Sequence, residues 1–68
     1  MEQETFNQSI RKFLKMVGIR SQKEIEEAVA RAMASGQIAG AGTLAATMTL
    51  QIAALRLEVR FDGQLELE

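Results

Sequence analysis

Leu44-Ala45-Ala46-Thr47-Met48-Thr49-Leu50-Gln51-Ile52-Ala53-Ala54-Leu55-Arg56-Leu57-Glu58-Val59-Arg60-Phe61 is the stretch that decides the fold. Its apolar residues hold even numbers at Leu44, Ala46, Met48, Leu50 and Ile52, then odd ones at Leu55, Leu57, Val59 and Phe61. Successive side chains of a strand point to opposite faces. Two strands joined by a two-residue turn therefore share an apolar face only if the parity flips across the turn. The flip falls at Ala53-Ala54, so the stretch reads as a β-hairpin with Ile52 opposite Leu55, Leu50 opposite Leu57, Met48 opposite Val59 and Ala46 opposite Phe61. The other face sets Thr47, Thr49 and Gln51 against Arg60, Glu58 and Arg56. A helix through Leu44, Met48, Ile52, Leu55 and Val59 strands Leu50, Leu57 and Phe61 on the wrong faces, which favours strands. Ala-Ala is a poor two-residue turn, because such turns want positive φ, so a longer loop over Ile52 to Leu55 stays open.

Upstream, two amphipathic helices are expected, over about 6–17 and 22–35. Thr5 with Gln8 and Ser21 with Glu24 have capping-box spacing. Phe6, Ile10, Phe13, Leu14 and Val17 form one helical stripe, and Ile25, Ala28, Val29, Ala32 and Met33 form another. Gly18 stands where a left-handed residue would close the first helix, and Gly36 where one would close the second. Downstream, Asp62-Gly63 is a turn signal. Either a short third strand follows over about 64–67, or the second strand, placed at about 55–61, runs on with Leu65 in phase. Leu67-Glu68 also matches the dipeptide often left before a histidine tag and is given no meaning. The expected fold is α+β, a single domain in the order ααββ(β): an N-terminal helical hairpin packed on one face of a C-terminal antiparallel β-hairpin, its first strand at about 44–52.

Sixty-eight residues with a formal charge of −1 exert no global pull on nucleic acid or anionic lipid. Domains this small bury little of their surface, and oligomerisation is a common remedy. No Cys is present to supply a disulfide, which fits a reducing cytoplasm. No apolar run approaches the roughly 20 residues of a membrane span, and Met1 to Val17 lacks the core of a signal peptide. A soluble, cytoplasmic protein without a membrane partner is expected.

The chain has no His, so it lacks both the usual proton carrier near neutrality and the commonest transition-metal ligand. Ser21 reads as a cap, and Ser9 and Ser35 have no evident base. Glu24, Glu26 and Glu27 do not converge on one helix face, and Glu27 has Arg31 four residues on as an ordinary ion-pair partner. Gly36-x-x-x-Gly40-x-Gly42 follows a helix and precedes a strand, the reverse of a phosphate loop. No enzymatic activity, cofactor or metal is expected.

Two binding readings remain. Arg11, Lys12, Lys15, Arg20 and Lys23 surround the expected inter-helix turn with no acidic residue among them, which invites comparison with helix-turn-helix DNA binders. Glu24, Glu26 and Glu27 would then stand where base-reading residues belong, and they repel phosphate. The favoured reading is a protein-interaction module, most simply a homodimer. The strand from Leu44 to Ile52 carries no charge, whereas its neighbour alternates Arg56, Glu58 and Arg60. The uncharged strand is therefore expected either to pair with another chain or to be shielded by the helices, and self-association through Thr43 to Gln51 is the favoured outcome. Thr47, Thr49 and Gln51 belong to that surface. Asn7 and Arg11 share a face beside the apolar stripe, with Lys15 extending the row, and they form a second candidate docking site.

The segments Glu4-Thr5-Phe6-Asn7-x-Ser9-Ile10-Arg11-Lys12-Phe13-Leu14-Lys15, Val17-Gly18 followed by Ser21-Gln22-x-Glu24-Ile25-Glu26, and Met48-Thr49-Leu50-x-Ile52 give the chain its family likeness. It resembles a family of small uncharacterised proteobacterial proteins, a domain of unknown function of about 65–70 residues. The resemblance implies a free-standing bacterial protein and carries no activity, ligand or functional residue with it. It also implies Gly-Gly at the hairpin turn, and this chain departs from it with Ala53-Ala54.

Overall fold

The computed structural model describes residues 1–68. Its elements are helix α1 (Gln3–Ala34), strand β1 (Thr43–Ile52), a single 3-10 turn at Ala53–Leu55 and strand β2 (Leu57–Glu66). The chain divides into two units, Met1–Ile38 and Ala39–Glu68. The α+β class is as expected, but the helical hairpin is not: one helix of 32 residues replaces the two expected over 6–17 and 22–35.

Continuity of α1 follows from the phase of its apolar residues. At about 100° per residue, Val17, Ser21, Ile25 and Ala28 stand at i, i+4, i+8 and i+11, so the two stripes lie within about 120° of one another and merge. Val17, Ser21, Val29 and Ala32 are half-buried. Ser21 thus sits inside the stripe rather than capping a new helix. Gly18 keeps a negative φ. A glycine in a helix interior costs about 1 kcal/mol relative to Ala, and no proline interrupts the backbone ladder on either side. A break would instead leave two sets of helix-end groups to be satisfied.

Both ends of α1 are capped. Glu2 is the N-cap, and its carboxylate accepts from the N–H groups of Glu4 at 3.2 Å and Thr5 at 2.6 Å. The box expected from Thr5 and Gln8 lies inside the helix. At the other end Gly36 takes φ +77°, its N–H reaching Met33 O at 3.2 Å while Gln37 N–H reaches Ala32 O at 2.8 Å. These two bonds form the Schellman closure expected at Gly36.

In the second unit β1 and β2 pair antiparallel with Leu44 opposite Leu65, Met48 opposite Phe61, Leu50 opposite Val59 and Ile52 opposite Leu57. The apolar face is the expected one, but every β2 partner lies two residues further along. A slip of two keeps each side chain on its face. The slip comes from the loop: Ala53, Ala54 and Leu55 take right-handed turns, and Arg56 closes the loop with φ 52° and ψ 36°. Three L residues in helical conformation avoid the positive φ values that a two-residue Ala-Ala turn demands. Leu55 is lifted off the apolar face and left 68% exposed. No third strand forms at 64–67. Asp62-Gly63 stays extended within β2, Leu65 keeps phase with Phe61, and Leu67 N–H continues the ladder to Gly42 O at 2.9 Å.

Candidate interaction surfaces

The helical unit offers an apolar stripe and a polar arc. Phe6, Phe13 and Leu14 on the stripe are 45%, 49% and 55% exposed. Asn7, Arg11 and Lys15 follow one another at i+4 spacing along one side of it, as expected. Asn7 is partly engaged, because its Oδ1 accepts from Gln3 Nε2 at 3.1 Å. Arg11, Lys12, Lys15, Arg20 and Lys23 fan over about half the circumference of α1. No carboxylate lies within ion-pair distance of any of them, since the one salt bridge joins Arg60 to Asp62. The expected Glu27–Arg31 pair is not made. There is no turn between helices here, so the cations are strung along a continuous helix and the helix-turn-helix comparison loses its geometry.

The hairpin unit offers two faces and two edges. Its apolar face holds the Met48–Phe61 pair, 45% and 55% exposed, between Leu44–Leu65 on one side and Leu50–Val59 and Ile52–Leu57 on the other. On the polar face, Thr47 stands opposite Asp62, Thr49 opposite Arg60 and Gln51 opposite Glu58, not opposite Arg60, Glu58 and Arg56 as expected. Thr47 Oγ1 donates to Asp62 Oδ1 at 3.2 Å, and Gln51 Nε2 donates to Glu58 Oε1 at 2.7 Å. Arg60 Nε donates to the same Asp62 Oδ1 at 3.2 Å. Asp62 is therefore the hub of this face, a role hidden by its reading as a turn residue. The signal that reveals it is the even-numbered polar series Glu58, Arg60, Asp62, Gln64, Glu66, which runs unbroken through Gly63.

No group of three or more acidic, His or Cys side chains is placed to hold a metal ion. No helix is long and apolar enough to cross a membrane. The Glu2 carboxyl is lowered from its ordinary value by hydrogen bonding from the Thr5 side chain, then from the Thr5 and Glu4 N–H groups. This is the electrostatics of a helix N-terminus.

No curated protein and no solved structure matches the chain. Residues 1–68 match the family described as a family of unknown function (DUF6494). The match spans every element described above, and the chain belongs to that family.

Proposed function

We propose that the protein is a small non-enzymatic interaction module of the cytoplasm that completes its core with a second copy of itself. One observation carries this reading: α1 carries an apolar stripe and the two strands share an apolar face, yet neither unit buries a side chain within itself. Met48, Ile52, Val59 and Phe61 on the hairpin are between 37% and 55% exposed. A two-stranded hairpin alone is marginal in water, and each apolar side chain moved from water into a packed interface contributes about 1.5–3 kcal/mol. A second copy supplies a matching apolar surface at a standard interface of about 800 Å² per partner.

Light scattering of the purified chain between about 10 μM and 1 mM tests this. A dimer is the expected result; a monomer throughout the range overturns it. The second reading, a nucleic-acid accessory protein, is favoured by the five unpaired cations from Arg11 to Lys23. It requires a salt-dependent mobility shift with a short duplex or RNA that Arg11→Glu with Lys15→Glu abolishes.

A further inference from the structure

The backbone hydrogen-bond phase of the hairpin shows which groups its edges present. Antiparallel strands alternate between pairs that exchange backbone hydrogen bonds and pairs that do not. Leu67 N–H bonds Gly42 O, so Gly42 and Leu67 are a bonded pair. Stepping two residues along each strand makes Leu44–Leu65, Ala46–Gly63, Met48–Phe61, Leu50–Val59 and Ile52–Leu57 bonded pairs as well. The odd-numbered residues of β1, namely Thr43, Ala45, Thr47, Thr49 and Gln51, consequently turn their N–H and C=O groups away from β2. On the far side, β2 turns out the backbone of Glu58, Arg60, Asp62, Gln64 and Glu66.

We propose that β1 of one copy pairs antiparallel with β1 of a second copy, giving a four-stranded sheet in the order β2-β1-β1-β2 across a two-fold axis. The proposal rests on the self-association reading and specifies its edge. The pairing closes the open strand of each copy and joins the two apolar faces side by side without itself covering them. Ten residues of β1 carry no charge, so pairing them desolvates none. The edge of β2 presents four charged side chains among five. Of the three ways to join two such hairpins, β1 to β2 is head-to-tail and leaves an edge open to add further copies. Joining β2 to β2 desolvates the charges and leaves the uncharged edges bare. Only β1 to β1 closes the assembly and ends the sheet on charged strands at both sides, the usual guard against further pairing.

Register is equally restricted. The apolar faces of the two hairpins stay on one side only if odd residues face odd residues, and near-full overlap then puts either Thr47 or Met48 on the two-fold axis. In the first case Thr47 meets its own copy, Ala45 meets Thr49 and Thr43 meets Gln51. In the second, Met48 meets its own copy and Thr47 meets Thr49. Both registers make one apolar sheet face from two.

Because the chain has no Cys, single-cysteine variants of the full chain report the contact directly. Thr47→Cys and Met48→Cys are oxidised in parallel with Phe61→Cys and Asp62→Cys, the middle positions of β2. A disulfide-linked dimer is expected for position 47 or 48, and none for 61 or 62. Ala45→Pro supplies the second arm, since it removes an N–H that faces outward and leaves every β1–β2 hydrogen bond in place. It should raise the dimer dissociation constant at least tenfold while far-ultraviolet circular dichroism of the monomer keeps its strand signal. If the unaltered chain is a dimer but cross-linking occurs at 61 or 62, or at none of the four, or if Ala45→Pro leaves dimerisation unchanged, the β1 edge is wrong and self-association stands. A monomeric unaltered chain overturns both.

Discussion

Gly18 continues a helix and Gly36 ends one, although each follows an apolar helical run. The difference lies in what comes after. Beyond Gly18 the stripe resumes in phase at Ser21 and Ile25, whereas beyond Gly36 the apolar period changes to that of a strand. Gly18→Ala therefore tests the single helix through the sign of its effect. A Cβ at Gly18 meets nothing within 4 Å and its φ is negative, so the substitution should stabilise the protein by about 1 kcal/mol in urea unfolding. Destabilisation would indicate the left-handed closure of two shorter helices. Arg56 offers the converse case. It holds φ 52° without being glycine, and a left-handed L residue costs roughly 1–2 kcal/mol. Arg56→Gly should accordingly raise stability by about 1 kcal/mol, with no change in the hairpin's amide proton pattern.

At the scale of elements, the N-terminus of α1 depends on an acidic cap at Glu2 rather than on Thr5. Hydrogen bonds to the ionised carboxylate lower its pKa in the folded state, so the stabilisation is present above the ordinary carboxyl value. It is lost as pH falls through the lowered value. Glu2→Gln should therefore reduce helicity at neutral pH, and the difference from the unaltered chain should vanish in acid, as read by circular dichroism at 222 nm. The same element shows how far local signals reach. Both apolar stripes of α1 were legible from their 3.6-residue spacing, as was the closure at Gly36, but the break between the stripes was not real. A Ser-x-x-Glu cap and a helix-interior glycine are each worth only about 1 kcal/mol, too little for local signals alone to decide between a new helix start and an uninterrupted stripe. In the hairpin the shared apolar face was legible from parity alone. The loop length was not, because a two-residue and a four-residue loop deliver the same faces. Of the candidate site, Thr47, Thr49 and Gln51 were placed on the correct face with the wrong partners, for that same reason.

For the whole molecule, the question is where the sorted apolar faces find cover. If a second copy provides it, folding and association are one equilibrium, and the melting temperature must depend on concentration. A tenfold dilution changes the association term by about 1.4 kcal/mol, which for two chains of this size corresponds to a fall of about 5 °C. A melting temperature constant over a hundredfold range would remove the self-associated core. That outcome would leave the edge chemistry of β1 to be met by a different chain.

The amino-acid sequence by itself determined which side chains share a face within each helical stripe and within both strands, apart from Leu55 and Arg56, which the loop takes out of the second strand. Face membership depends only on the local repeat, 3.6 residues or two, and nothing distant alters it. Only the tertiary structure decided that α1 is unbroken, that Ile52 meets Leu57 rather than Leu55, and that Asp62-Gly63 lies within a strand. Those choices compare whole hydrogen-bonded ladders and their closures. A shift of two residues leaves every face unchanged, so the pattern of apolar residues alone is blind to it.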